Sequence, residues 1–401
     1  MTAKNRLITP EGTKDYLFEE VRQRRLVEAT LNELLTSQGF FEVQTPTLEF
    51  LDVFDVKGHS IPVEYMYKLT DNKGRLMVMR PDTTMPIARL MATRLQGAYL
   101  PIRLFYNQAI YSSMHRNGSM GDEITQMGIE LIGNTSLKSD IEVITTATNA
   151  LEKLKQKSFR LEIGHIGIFN TLVQSLQIDD SQKEEIRLLI ESKNYPALND
   201  LLDSFGNSYE VKVLKQLPKL FGDESVFDKA YELITDEKTV PILDYLKNLY
   251  QKLKKISKNI TVDLGLVNRT DYYTGVVFKG YIEGFGEEVL SGGRYDDLLS
   301  KFDKSKNIGA IGFAINIDAL TKKMLQNSQV ILQKPKIIVF GKQGFEIEAI
   351  SHLRKLIDEK IKCEYSVFDT LEETIELAKK VNIKQVDVIG ETCETITIDK
   401  N

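Results

Sequence analysis

Four short segments of this sequence combine carboxylates, hydroxyls and aromatic rings in a pattern that suits binding of a small polar ligand. They are MRPDTT, QMGIE, DYYTG and SGGRYD. Carboxylates accept hydrogen bonds, and threonine and tyrosine hydroxyls both donate and accept them. Taken singly, each tyrosine could equally be core or rim packing, and the glutamate of QMGIE could end a strand facing solvent. The four segments therefore indicate a binding site only when they are considered together.

Other kinds of site have little support in the sequence. There is no G-x-x-x-x-G-K-[ST] phosphate loop and no zinc-type spacing of cysteine and histidine, so neither a cofactor nor a metal site is predicted. No Ser-His-Asp arrangement can be argued from the four histidines, which are scattered along the chain. The two cysteines, Cys363 and Cys393, are interpreted as buried or incidental thiols and fit a reducing cytoplasm.

Length and charge limit the function classes. The 401 residues suggest two or three domains, and the net charge of −5 lowers the expectation of nucleic-acid binding. The apolar runs are too short to span a bilayer, and the N-terminal MTAKNRLITPEG lacks the apolar region of a secretory signal. A cytoplasmic protein without a membrane partner is expected.

The elements that must position the four segments are predicted from periodicity. Residues 19–37 have helical spacing, and FFEVQTPTLEF indicates a strand that Pro46 restricts to a sheet edge or an interface. Strands then follow one another without intervening helices, which favours an antiparallel sheet. A helical insert is predicted around residues 170–255, and a helix from Ile311. The predicted domains are 1–325 and a small α/β domain at 334–401.

Read in order, several segments resemble the histidyl-tRNA synthetase branch of the class II aminoacyl-tRNA synthetases, over roughly residues 10–320. GFFEVQTPTLEF is similar to motif 1, TRLQGAYLPIRLFYNQAIY with ITQMGIELIG to motif 2, and IGAIGFAINIDAL to motif 3. RTDYYTGVVF and SGGRYDDLL resemble the two histidine signatures, and MRPDTT the amino-acid pocket. The resemblance implies an α+β fold: an antiparallel sheet flanked by helices, a C-terminal domain like a truncated anticodon-binding domain, and a dimer formed through motif 1.

The same resemblance implies a histidine pocket. Asp82 would meet the α-amino group, Glu130 would face one imidazole nitrogen, and Tyr295 would lie on the other side. A ligand without these nitrogens would leave buried polar groups unpaired, so such a pocket discriminates strongly. The implied histidine-binding residues are Asp82, Thr84, Gln126, Glu130, Tyr272, Tyr273 and Tyr295.

Adenylation in these synthetases needs arginines that stabilise phosphate charge, and the matched positions lack them. Ser112 replaces the motif 2 arginine, and Met114 replaces the acidic residue that engages ATP. Asn268 stands where an arginine precedes the first signature, with Arg269 displaced by one position. Ala319 replaces the arginine that ends motif 3. Losing one such donor costs about 10²–10³ in rate, so no catalytic residue is predicted.

This combination resembles the regulatory paralogues that accompany short-form ATP phosphoribosyltransferase in histidine biosynthesis. The resemblance implies a non-catalytic subunit of a hetero-oligomer that supports the short catalytic subunit and takes part in histidine feedback. The tail from residue 336 holds 10 Lys and Arg against 13 Asp and Glu, so no tRNA partner is expected. A divergent histidyl-tRNA synthetase and a free-standing histidine-binding protein remain alternatives.

Overall fold

The computed structural model describes residues 7–54, 61–113, 121–155, 158–267, 272–303, 308–327 and 334–398. The chain divides into two compact units, residues 1–328 and 329–401. Within the described ranges, no helix has both the length and the apolar character needed to cross a membrane.

The first unit is built around a large sheet with helices on it. Its described strands are β1 (Phe41–Glu42), β2 (Leu48–Phe50), β3 (Lys68–Thr70), β4 (Leu76–Met79), β5 (Ile102–Tyr111), β6 (Glu123–Ile132), β7 (Phe159–His165), β8 (Phe221–Gly222), β9 (Ile260–Asp263), β10 (Val276–Ile282), β11 (Glu288–Arg294) and β12 (Ala310–Asn316). Its described helices are α1 (Phe18–Ser37), α2 (Thr84–Ala92), α3 (Leu137–Lys153), α4 (Ile166–Ser175), α5 (Asp180–Glu191), α6 (Tyr195–Ser204), α7 (Tyr209–Gln216), α8 (Ser225–Leu233), α9 (Val240–Lys254) and α10 (Ile317–Asn327).

Nine of these strands form one sheet in the order β1-β5-β6-β12-β11-β10-β7-β9-β8. Its pairs are antiparallel except β1 with β5 and β7 with β9. Side chains alternate between the two faces along each strand. On β6, Met127 and Ile129 enter the main apolar core together with α1 and α3, so Gly128 and Glu130 lie on the opposite face.

Two strand predictions have different outcomes. The strand around Pro46 is split: β1 forms the edge of the large sheet, and β2 the edge of a three-stranded sheet in the order β2-β4-β3, which confirms the edge assignment. The prediction of a helix from Ile311 is wrong, because residues 310–316 form the central strand β12 and the helix α10 begins only at Ile317. An apolar run this short does not distinguish a buried strand from a buried helix by periodicity.

The described elements between β7 and β9 are helices, apart from the two-residue strand β8. Several of its helices begin at residues that suit the position. Asp179 accepts a hydrogen bond from the backbone of Gln182 and completes a capping box before α5. Ser208 caps α7 in the same way through the backbone N–H of Val211.

The second unit contains β13 (Ile337–Gly341), α11 (Glu346–Asp358), β14 (Cys363–Tyr365), α12 (Leu371–Val381), β15 (Gln385–Ile389) and β16 (Cys393–Thr397). Its sheet has the order β14-β13-β15-β16, with only the β15–β16 pair antiparallel. One face packs apolar residues of α11 and the other packs those of α12.

Candidate functional site

Glu130 is the centre of the cluster of predicted site residues. It lies near the end of β6, pairs with Leu104 of β5 and Gly312 of β12, and is only 2% exposed. A buried carboxylate is costly unless its oxygens are hydrogen-bonded. Its Oε1 accepts from the Thr84 hydroxyl at 2.8 Å, and its Oε2 accepts from the Tyr295 hydroxyl.

The surroundings of Glu130 favour its protonated form. Burial, with a smaller contribution from the nearby charge of Asp82, raises the pKa of Glu130 to about 8. The hydrogen bonds from Tyr295 and Thr84 oppose this shift because they stabilise the carboxylate. The group is therefore largely uncharged at neutral pH in the unliganded chain, and its charge state is sensitive to any partner that enters.

Four tyrosine rings surround this carboxylate. The Tyr272 ring packs edge-on against Tyr273, with centroids 5.2 Å apart, and against Tyr295 at 5.6 Å. Tyr106 of β5 is fully buried, and the charge of Glu130 contributes to raising its pKa, after burial itself. Such edge-to-face pairs are a favourable aromatic arrangement and hold the hydroxyls in fixed positions.

Three glycines of the sheet make room for these side chains. A Cβ atom on Gly312 would lie 1.9 Å from Glu130 Oε2, and one on Gly128 would lie 2.4 Å from the Tyr106 hydroxyl oxygen. A Cβ on Gly293 would lie 2.8 Å from the Tyr273 ring. The absence of side chains at these positions lets the carboxyl group and the rings approach the sheet backbone closely.

Asp82 and Thr84 enter the site from the start of α2. Asp82 Oδ1 accepts a hydrogen bond from the backbone N–H of Met85 at 3.0 Å, which fixes the carboxylate at the helix N-terminus. The structure thus brings Asp82, Thr84, Glu130 and the three predicted tyrosines together. Gln126 lies on the same face of β6 but further along, between Gln108 of β5 and Asn316 of β12.

A buried ion pair that the sequence reasoning missed holds the SGGRYD segment. Arg294 donates to Asp140 Oδ1 of α3 at 2.9 Å through Nε, and to the Ser139 hydroxyl at 2.7 Å through Nη2. Asp140 also accepts from the hydroxyl of Tyr245 in α9. The sequence holds no usable signal for this pair: a buried arginine is almost always paired, but neither the burial of Arg294 nor its partner can be read from GGRYD.

The positions matched to the synthetase arginines are only partly described. Ser112 is buried after β5, and its N–H donates to the carbonyl of Asp122 at 2.8 Å. Ala319 lines a cavity of about 310 Å³ beside Lys14, Glu123 and Asp318. Met114 and Asn268 lie outside the described residues.

Two arginines of the described chain that contact neighbours of these positions, Arg24 and Arg80, are engaged by protein groups. Arg24 lies 3.6 Å from Asp318 and also bonds Glu28 and the Thr125 hydroxyl. Arg80 donates to the backbone carbonyls of Ala109 and Thr45, each at 2.7 Å. Both guanidinium groups therefore use N–H donors on protein acceptors rather than presenting a free pair of donors to the cavity.

Comparisons with known proteins agree with this architecture. A family model described as histidyl-tRNA synthetase matches residues 12–320. ATP phosphoribosyltransferase regulatory subunits are similar over nearly the whole length: 39% identity with that of Clostridium botulinum (strain Langeland), covering 93% of this chain and 90% of the relative, and 35% with that of Bacillus cereus (strain ZK), covering 94% and 90%.

Solved structures give the same fold. A crystal structure titled ATP phosphoribosyltransferase regulatory subunit/histidyl-tRNA synthetase, from Bacillus halodurans C, has a TM-score of 0.82 at 29% identity and covers 96% of this chain and 99% of that chain. Histidyl-tRNA synthetase from Nostoc sp. PCC 7120 has a TM-score of 0.76 at 19% identity, covering 98% and 97%, a likeness of fold alone. The predicted class II synthetase-like α+β fold is confirmed.

Proposed function

Because this chain belongs to the family of ATP phosphoribosyltransferase regulatory subunits, built on the histidyl-tRNA synthetase fold, we propose that it senses histidine for a separate catalytic subunit. In this proposal, the short catalytic subunit condenses ATP with phosphoribosyl pyrophosphate, and the present chain supports that activity and transmits feedback inhibition. The observation that carries the proposal is the buried Glu130 carboxyl group, hydrogen-bonded by Thr84 and Tyr295 within a ring of tyrosines.

Glu130 gives the pocket its selectivity for an imidazole. An imidazole presents one N–H donor and one acceptor, or two donors when protonated. A carboxyl group that titrates near neutral pH can pair with either form of the ring, and a tyrosine hydroxyl can pair the second nitrogen. Asp82, held at the N-terminus of α2, would meet the α-amino group. An analogue without ring nitrogens would leave Glu130 unpaired, which is costly.

The proposed loss of adenylation rests on the missing positive charge at the positions matched to the phosphate-binding arginines of the synthetases. The buried serine at position 112 offers no guanidinium, and neither does Ala319. The cavity beside Ala319 is lined by the carboxylates Glu123, Glu287 and Asp318 as well as two lysines, a balance that disfavours a triphosphate. That Met114 and Asn268 complete the loss stays a prediction.

Self-association is proposed through the segment that resembles motif 1. Phe41 is 70% exposed and lies on β1, the edge strand of the nine-stranded sheet. Leu48 and Phe50 of β2 add further exposed apolar surface. Exposed apolar side chains on edge strands are suited to burial against a second copy. A dimer would present two histidine pockets to the catalytic partner.

The remaining parts of the proposal concern the tail and the compartment. The unit containing residues 334–398 would be a scaffold of the anticodon-binding type without a tRNA ligand, as its acidic balance suggests. Both cysteines are unpaired, in agreement with a cytoplasmic protein.

Feedback through this chain requires that histidine bind with different affinity in the active and inhibited assemblies.

The decisive experiment mixes the purified chain with a purified short catalytic subunit. The chain should co-purify with that subunit and raise its phosphoribosyl transfer, and added histidine should suppress the raised rate. Glu130→Gln should keep the activation and lose the histidine response. Histidine-dependent ATP–pyrophosphate exchange well above background would identify a divergent synthetase instead. Histidine binding without any effect on the partner would identify a free-standing binding protein.

A further inference from the structure

Three side chains of different chemistry meet on one face of the second unit. His352 comes from α11, Asp387 from β15 and Cys393 from β16. The Nε2 atom of His352 lies 2.9 Å from Asp387 Oδ2. One imidazole nitrogen, one carboxylate oxygen and the Cys393 sulfur all lie within 4.8 Å of one another.

Strand pairing explains why residues so far apart in sequence converge. Asp387 pairs with Thr395, and Ile389 pairs with Cys393. Because side chains alternate along a strand, Asp387 and Ile389 share a face, and paired residues of neighbouring strands share it as well. Ile389 packs in the same apolar cluster as Ala349 of α11, so this is the face that α11 covers.

The Asp387 carboxylate is held in a fixed orientation. It is only 3% exposed, and its Oδ1 accepts from Gln385 Nε2 at 2.8 Å and from the Thr395 hydroxyl at 2.9 Å. These two donors direct the other oxygen, Oδ2, toward His352. Hydrogen bonds of this kind, from neighbours to a coordinating carboxylate, are typical of metal sites and set the orientation of the ligand.

We propose that His352, Asp387 and Cys393 bind a zinc ion. Zinc accepts thiolate, imidazole and carboxylate ligands at about 2.0–2.3 Å in tetrahedral geometry, which places ligand atoms about 3.3–3.6 Å apart. The three atoms reach this geometry if His352 and Asp387 separate by a few tenths of an ångström and the Cys393 sulfur moves inward. The thiolate and imidazole disfavour Ca²⁺ and Mg²⁺. A water completes the fourth position.

Zinc would change the role of both Cys393 and α11. Without a metal, burial and the charge of Asp387 raise the pKa of the Cys393 thiol, so it stays protonated. A bound Zn²⁺ would displace that proton and join the helix α11 to β16, the edge strand of the sheet. The site would thus fix β16, the last described strand, to α11. Bound zinc would stabilise the folded unit because it binds the folded chain in preference to the unfolded chain.

The test titrates Co²⁺, a spectroscopic substitute for zinc, into the metal-free full-length chain. One equivalent per chain should produce a thiolate-to-cobalt charge-transfer absorption, and Zn²⁺ should displace it. Cys393→Ser should remove this absorption. Cys363→Ser is the matched control, since it alters the other cysteine of the chain and should leave the absorption unchanged.

A second variant keeps all three ligands. Thr395→Val removes one hydrogen bond to Asp387 and should weaken metal binding by about 10- to 100-fold, while circular dichroism reports an intact fold. The proposal is overturned if Co²⁺ binds without the charge-transfer band, or if Cys363→Ser and Cys393→Ser lose the band equally. It is also overturned if equilibrium dialysis finds no stoichiometric zinc.

Discussion

Glu130 couples the stability of the fold to pH. In the folded chain its pKa lies near 8 because the group is buried, against an ordinary value of 4.5. As pH rises from 4.5 toward 8, the unfolded chain releases this proton while the folded chain retains it. The free energy of unfolding therefore falls across this window, by an amount on the order of a few kcal/mol, and levels off above it.

Glu130→Gln removes this titration and keeps the shape of the side chain. We expect thermal unfolding of the histidine-free variant to depend less on pH between about 5 and 8 than that of the unaltered chain. Melting curves at several pH values in that range measure the difference. Parallel pH profiles of the two proteins would show that Glu130 is ionised in the folded state.

The same substitution measures the contribution of Glu130 to ligand binding. A hydrogen bond to a charged group contributes about 1.5–3 kcal/mol, so Glu130→Gln should weaken histidine binding by about 10- to 150-fold in calorimetry. Glu123→Gln, the same change on the same strand but in the wall of the separate cavity, serves as the control. Equal affinities for the Glu130 variant and the unaltered chain would remove this residue from the pocket.

At the scale of elements, the pairing of β6 with β12 supports the proposed histidine pocket. A Cβ on Gly312 would meet Glu130 Oε2 at 1.9 Å and the carbonyl oxygen of Ile129 at 2.4 Å, so Gly312→Ala should displace the carboxylate or separate the strands. Overpacking of this kind costs about 1–3 kcal/mol. Chemical denaturation should show that loss, together with weaker histidine binding. Gly286→Ala is the control, because a Cβ there meets nothing within 4 Å, and it should change neither stability nor histidine binding. Similar losses of stability in the two variants would refute the steric argument.

Some of the elements and contacts could be predicted from the sequence, and others could not. Motif order predicted the sheet and the convergence of Glu130, Thr84 and Tyr295, because each belongs to a segment with a recognisable pattern. Strand β12 was not predicted, since its apolar run fits a buried helix as well as a strand central in the sheet. The contact between Arg294 and Asp140 joins β11 to α3, and periodicity carries no signal for such a pairing.

At the scale of the whole molecule, the exposed edge around β1 predicts the assembly state. Phe41→Glu places a charge in the proposed contact between two copies. Losing an aromatic anchor costs about 2 kcal/mol or more, so self-association should weaken roughly 30-fold. Sedimentation velocity over a concentration series measures this change. Ile256→Glu, at another exposed apolar residue beyond α9, should leave the assembly intact, and a Phe41 variant that stays dimeric would exclude this edge.

The crowding of phenol rings around Glu130 also has an optical consequence. The chain contains no tryptophan, so its ultraviolet emission arises from 16 tyrosines. A quarter of them, Tyr106, Tyr272, Tyr273 and Tyr295, surround the Glu130 carboxyl group, and the rings of Tyr272 and Tyr273 lie 5.2 Å apart. Histidine bound beside Glu130, as proposed above, would change the polarity around several of these tyrosines at once. Tyrosine fluorescence would then report histidine binding directly, without a competing indole signal.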